Sequence, residues 1–253
     1  MHERSIITNV SIWLLWIILT VLMVGGVASV GFMEEKPENT NWAAPTMLVI
    51  AAILVLIYFG IRSSAGLLIG GFIGFLSELV GVSTGYPYGS YQYTEVLGLS
   101  IGNVPIVLFA AWIIVLSLVC MILKLLGADT KVSIILAPIL LVLLDLAIEP
   151  VATGSLGAWY WTEEIKGYYG VPISNFGGWL LVGFVAYLPV QFVYGKYTVA
   201  GIFPGASIFC FFVAINLLDT QWIGAIAGIS SLSIAIASLA YSKKNCLVRL
   251  RLK

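Results

Sequence analysis

Three carboxylates, Glu78, Asp145 and Glu149, stand within or at the end of runs that are otherwise almost wholly apolar. Asp145 and Glu149 are four residues apart, a spacing that puts both on one face of a helix. Pro150 follows at once, and the helix is expected to end there. A charged side chain at the bilayer centre costs about 2.5–3.5 kcal/mol on insertion scales, so such groups face a partner or a cavity. Lys166 is the single cation of the region, which leaves the acids without an obvious salt-bridge partner. An acid taken out of water without a basic partner favours its neutral form, and a neutral carboxyl can serve as a general acid. The other reading is that the three acids only accept hydrogen bonds between helices.

Loops rich in Gly, Tyr and Trp accompany these acids. Tyr86, Tyr88, Tyr91, Tyr93, Trp159, Tyr160, Trp161, Tyr168 and Tyr169 belong to types that favour a membrane interface in any case. Their rings can also line a slot for a flat apolar ligand, or steady a transient carbocation by cation–π contact. Gly89-Ser-Tyr-Gln-Tyr-Thr-Glu95 is echoed by Gly157-Ala-Trp-Tyr-Trp-Thr-Glu163, and Val104-Pro-Ile-Val-Leu-Phe-Ala-Ala-Trp112 by Val171-Pro-Ile-Ser-Asn-Phe-Gly-Gly-Trp179. Two echoes in one order, one residue out of step, point to an internal duplication; two similar interfacial loops are the alternative. In the second copy Asn175 stands in place of Leu108 and Ser174 in place of Val107, polar groups suited to bind a water or hydroxyl or to cap a helix.

The elements that must position these residues are membrane spans. Of the 253 residues 60% are hydrophobic and 9% charged, against about 25% charged in soluble domains. The reading is an all-α polytopic membrane helix bundle forming one integral membrane domain over 1–253. Eight spans are expected, at about 11–32, 45–62, 65–82, 104–126, 132–150, 173–194, 198–216 and 221–241, each near the roughly 20 residues that cross hydrocarbon. One repeat covers about 65–126 and the other about 132–195, flanked by helix pairs 11–62 and 198–241. The first run reads as a retained helix rather than a signal peptide.

Gly66, Gly70 and Gly74, and again Gly224 and Gly228, have the small-xxx-small spacing that lets helices approach closely. Pro138, Pro189 and Pro204 are expected to kink spans five, six and seven. With the N-terminus inside, inner segments hold Arg4, Arg62, Lys124, Lys131, Lys196, Lys243, Lys244, Arg249, Arg251 and Lys253, whereas outer ones hold Lys36 and Lys166. That bias places both termini in the cytoplasm. Glu78, Asn103, Asp145, Glu149, Asn175 and Asn216 then share one depth at the outer edge, with Glu95, Glu163 and Glu164 just beyond. Two repeats of one orientation imply a pseudo-two-fold axis along the membrane normal with a cavity between the halves.

Zero net charge implies no nucleic-acid partner. Cys120, Cys210 and Cys246 are far apart and suggest neither a disulfide framework nor a metal site. His2 is the only histidine, which argues against histidine catalysis and His-ligated metal.

Gly74-x-x-x-Glu78-x-x-Gly81, Thr84-Gly85-x-Pro87-Tyr88-Gly89-x-Tyr91-x-Tyr93, Val104-Pro105 with Ala111-Trp112, Asp145-Leu-x-x-Glu149-Pro150, and Tyr169-Gly170-Val171-Pro172-x-x-Asn175-Phe176-x-Gly178-Trp179 resemble the carotenoid biosynthesis family of membrane carotenoid hydratases. The resemblance covers about residues 65–195, and the outer pairs of spans add little to it. In that family the acid before this proline is commonly Asp; Glu149 keeps the charge and reaches one methylene further. The resemblance implies cofactor-free addition of water across the terminal isopropylidene double bond of an acyclic carotenoid, bisanhydrobacterioruberin- or lycopene-like, giving a tertiary alcohol. Implied partners are that carotenoid, water, membrane lipid and other enzymes of the carotenoid pathway.

Protonating a trisubstituted alkene gives a tertiary cation. The reaction needs a desolvated acid, a cation-tolerant wall and a positioned water. On physical grounds one of Glu78, Asp145 or Glu149 donates the proton, and a second, with Asn175, orients the water. Tyr88, Tyr91, Tyr93, Glu95, Asn103, Trp112, Trp159, Trp161, Asn175 and Trp179 are the expected substrate contacts. Two other classes stay open. Asp145-x-x-x-Glu149 superficially resembles the magnesium motif of an intramembrane prenyltransferase, although that chemistry wants two acidic motifs and several basic residues. A transporter or isoprenoid-binding protein would suit the two same-way repeats.

Overall fold

The structure is a computed structural model that describes residues 2–33, 39–162, 167–192 and 198–251. Lys36, Glu163, Glu164, Lys166, Lys196 and Lys253 lie outside the described residues. The chain forms an all-α membrane bundle of α1 (His2–Phe32), α2 (Ala43–Thr84), α3 (Leu108–Leu125), α4 (Thr130–Thr153), α5 (Ile173–Phe192), α6 (Phe203–Leu218) and α7 (Trp222–Arg251). All 7 are long and apolar enough to cross a membrane. In α3, 83% of the apolar window is buried, against 6% in α1. The first is therefore the central post of the bundle, and the second lies at its margin, packed mainly on α2 and α6.

Expected spans two and three are the two arms of α2, joined without a loop, so that seven helices hold the expected spans. The 42 residues of α2 would make a straight helix about 63 Å long, twice the hydrocarbon thickness of about 30 Å. Gly60 breaks it, with φ 70° and ψ 164°, a backbone region open essentially to glycine alone. The chain folds back there, so that Ala44 and Met47 of the first arm line the same cavity as Glu78 of the second. Ser64 Oγ donates to the Leu56 carbonyl at 3.2 Å across the reversal.

Small residues set the distance between the helices. A Cβ on Gly70 would meet the Ala186 carbonyl of α5, and one on Gly74 would enter the Trp112 ring of α3. On α7, Gly224 gives room to Asn216 and Gly228 to Val213, both on α6. Pro138 and Pro189 lie inside α4 and α5. Pro204 does not interrupt a span. It stands in the first turn of α6, where its missing N–H leaves no helical bond unmade.

Pro150 likewise does not end its helix, which runs on to Thr153. Its ring removes the donor that would serve the Leu146 carbonyl, and the Tyr168 hydroxyl donates to that carbonyl instead. Nearby, Asn216 Nδ2 donates to Ala147 O at 2.8 Å and Gln221 Nε2 to Pro150 O at 3.1 Å. Backbone groups disturbed by a proline are thus satisfied by neighbours, as a membrane interior requires.

Four short strands close one end of the bundle. β1 (Tyr91–Tyr93) pairs antiparallel with β4 (Trp159–Trp161), in the register Tyr91↔Trp161, Gln92↔Tyr160 and Tyr93↔Trp159. These are the two echoed loops, and their pairing is symmetric about Gln92 and Tyr160. β2 (Ser100–Ile101) and β3 (Val104–Pro105) form a hairpin. Its two-residue loop is Gly102 and Asn103, with φ 57° and 62°, the left-handed pair that a type I′ turn demands.

Candidate functional site

Strand alternation decides which aromatic rings face inward. Side chains on a strand point to opposite faces in turn, so Tyr-Gln-Tyr and Trp-Tyr-Trp each send their first and third rings toward the bundle. Gln92 and Tyr160 face outward and are exposed, and the Tyr160 hydroxyl donates to Gln92 Oε1 at 2.7 Å. The inward rings pack across the ladder, Tyr91 against Trp161 at 5.2 Å and Tyr93 against Trp159 at 5.8 Å between centroids.

The inward polar tips converge on the acids. Glu78, on the second arm of α2, accepts at Oε2 from the Tyr91 and Tyr93 hydroxyls at 2.6 and 2.8 Å, and at Oε1 from Trp112 Nε1 at 3.3 Å. Glu149, on α4, accepts at Oε2 from the Trp159 and Trp161 indoles at 3.3 and 3.2 Å. Asn175 Nδ2, on α5, donates to Glu149 Oε1 at 3.2 Å and to Asp145 Oδ2 at 2.7 Å. All three acids are buried, and Asp145 Oδ1 has no hydrogen-bond partner among the described residues. Burial and the adjacent Glu78 carboxyl push the Tyr91 and Tyr93 phenols well above the usual tyrosine range, so both remain hydrogen-bond donors. Among the described residues every donor to the three carboxyls is a neutral phenol, indole or amide.

Glu78 and Glu149 face one apolar cavity of about 120 Å³, together with Tyr88, Tyr91, Tyr93, Trp112, Trp159, Trp161, Asn175 and Trp179. Trp112 and Trp179, the last residues of the second echo, stack at 4.6 Å with 20° between planes. Tyr88 reaches no acid. Its hydroxyl lies 2.6 Å from Ser77 Oγ, which gives its own proton to the Gly74 carbonyl, so Tyr88 is the donor.

Three expected residues stand apart from the cavity wall. Asp145 sits behind it, joined to Glu149 through Asn175. Glu95 opens a 3-10 turn over Glu95–Leu97 and is exposed. Asn103 is exposed at the hairpin loop, where its left-handed backbone explains its residue type.

The wall also includes residues that sequence reasoning passed over: Met47 of the first α2 arm, and Ile208, Phe209, Phe211 and Phe212 of α6. In a membrane span an apolar side chain that lines a cavity has the same type as one that faces lipid. The one available signal was three phenylalanines in four residues.

The family model described as carotenoid biosynthesis protein matches residues 40–236. It takes in the first arm of α2 and all of α6, beyond the stretch that carried the resemblance. The chain is also 38% identical over 124 residues to a bisanhydrobacterioruberin hydratase of Haloarcula japonica, a match covering 47% of this chain and 41% of that protein's length. No solved structure matches the chain.

Proposed function

The chain belongs to the carotenoid biosynthesis protein family, and on that premise we propose that it adds water, without a cofactor, across the terminal isopropylidene double bond of an acyclic carotenoid. One observation carries the reading: two buried glutamates, each held by aromatic donors, face a single apolar cavity. An engineered cavity of roughly 150 Å³ holds benzene, so about 120 Å³ suits the five-carbon end of an isoprenoid and not its whole length. No Lys or Arg is among the described residues that line the cavity, which suits a hydrocarbon better than a diphosphate.

Asp145 and Glu149 share the Asn175 amide and hold one proton between them, as carboxyls crowded together do. Glu149, the member of the pair on the cavity wall, delivers that proton to the inner, hydrogen-bearing carbon of the double bond, which leaves the positive charge on the outer carbon that carries the two methyls. The tertiary cation that results lies against the indole and phenol rings. Water attacks the cation, and Glu78, held by three donors, takes the released proton. The hydroxyl oxygen of the product therefore comes from solvent. The same reading places the protein in the cell membrane with both termini in the cytoplasm, on the lysine and arginine bias of its loops.

The test is mass analysis of pigments from hosts that make lycopene or bisanhydrobacterioruberin, with and without this chain. The expected result is a gain of one water per modified end, labelled when cells grow in heavy-oxygen water. Unchanged pigment in both hosts would overturn the reading in favour of transport or binding.

A further inference from the structure

A cavity that takes one end of a carotenoid must let the remaining polyene leave in a defined direction. A second hollow, of about 310 Å³, lies between α1 and α6, and Phe211 is the residue common to its wall and that of the acid cavity. Its α1 side is Met23, Val24, Val27, Ala28 and Phe32, and its α6 side includes Ser207, Cys210 and Ala214. Each set repeats at three and four residues, so each is one continuous stripe on its helix. The α1 stripe extends about 13 Å at 1.5 Å per residue. Phe211 is buried, with its ring against Gly26, where a Cβ would stand 2.9 Å from Cε2. The glycine thus leaves room for the ring that separates the two spaces.

We propose that this groove holds the polyene tail of the substrate, with Phe211 as the gate between tail and reacting end. The assignment rests on the hydratase reading for the identity of the ligand, and on the shared Phe211 wall for its path. It also gives a reason for the marginal position of α1, which covers little of the protein core but completes the groove. The ligand class is a long, rigid, apolar chain. Length is sensed by the groove, and the end group by the acid cavity.

Two measurements on the full chain in lipid nanodiscs test this. Ala28→Trp and Ala214→Trp fill the groove. The ratio of kcat/KM for the full-length acyclic polyene to that for a ten-carbon isoprenoid with the same isopropylidene end is expected to fall about tenfold, the scale of apolar-pocket discrimination. An unchanged ratio would overturn the groove.

The second measurement does not require turnover. Cys210 is exposed and Cys120 buried, so in a Cys246→Ser variant Cys210 serves as a native reporter. Full-length polyene is expected to slow its alkylation by an apolar maleimide about tenfold, whereas the ten-carbon compound leaves the rate as it was. Polyene protection without any hydration product would keep the groove and remove the hydratase reading. Hydration without protection would do the reverse. Protection that is complete before polyene is added and is lost on delipidation would assign the groove to a lipid chain and overturn the proposal.

Discussion

Glu78 and Glu149 line one cavity, but their surroundings differ in kind. Glu78 is bound by two phenols and an indole, with bonds as short as 2.6 Å. Glu149 is bound by two indoles at 3.2 Å or more and shares an amide with a second carboxyl. Short O–H donors fix the Glu78 carboxyl in one orientation. Longer N–H donors, with a like group alongside, favour a proton shared between two acids. The echoed loops Tyr-Gln-Tyr and Trp-Tyr-Trp thus make two unlike sites from one plan. In the proposed reaction Glu78 takes the part of the base and Glu149 that of the acid.

The largest expected effect breaks the acid side. Glu149→Gln keeps the shape and removes the transferable proton, and loss of a general acid is worth about a thousandfold in rate. Single-turnover hydration of purified protein, followed by pigment chromatography, measures it. Asp145→Asn removes the neighbouring carboxyl whose crowding keeps a proton on the pair, so hydration is expected to slow from the first turnover, by less than in Glu149→Gln. If both variants turned over at the wild-type rate, the acid would have to be sought elsewhere.

On the base side the loss should be smaller, because water is already a nucleophile toward a tertiary cation. Glu78→Gln is expected to lower kcat about a hundredfold, the scale of a lost electrostatic stabiliser. Tyr91→Phe and Tyr93→Phe each remove one short bond to the carboxylate and should each lower kcat about tenfold, or about 1.4 kcal/mol. If they instead matched Trp159→Phe and Trp161→Phe in size, the contrast between the sides would be lost.

The contrast was only half legible in the sequence. The three acids, the inward rings and the echo could be read, because charge in an apolar run and period-two aromatics are strong local signals. Gly60 was hidden, since one glycine in a run of spans gives no sign that its backbone reverses a helix, and the break was expected a few residues downstream, between 62 and 65. Pro150 misled because its helix is rescued by Tyr168, 22 residues from the Leu146 carbonyl it serves, a contact that no local pattern encodes. Glu95 and Asn103 looked chemical by type, whereas a 3-10 turn and a hairpin loop account for their places. The α6 phenylalanines were unreadable because lipid and cavity select the same side chains.

The Tyr168 contact supplies a prediction about stability more than rate. Tyr168→Phe leaves the Leu146 carbonyl unserved one turn from Glu149 and Asp145. An unsatisfied buried acceptor costs about 1–3 kcal/mol, to be read as a lowered midpoint of unfolding in detergent. The rate should fall by less than in any of the acid-side variants, since the carboxyls keep their own donors. Asn216→Leu should act in the same direction through the Ala147 carbonyl.

The smallest effect is expected where the ladder faces away from the acids. Tyr160 is the central residue of β4, flanked by both glutamate-binding indoles, yet its ring is 49% exposed and its hydroxyl meets only Gln92. Tyr160→Phe should leave hydration within about twofold and stability within about 0.5 kcal/mol, as exposed substitutions do. The variant isolates alternation from proximity: it lies one residue from each of two rings whose loss should matter. A drop comparable to that of Trp161→Phe would mean that the aromatic ladder acts as a whole, and the distinction between its inward and outward faces would no longer explain how the two acids are held.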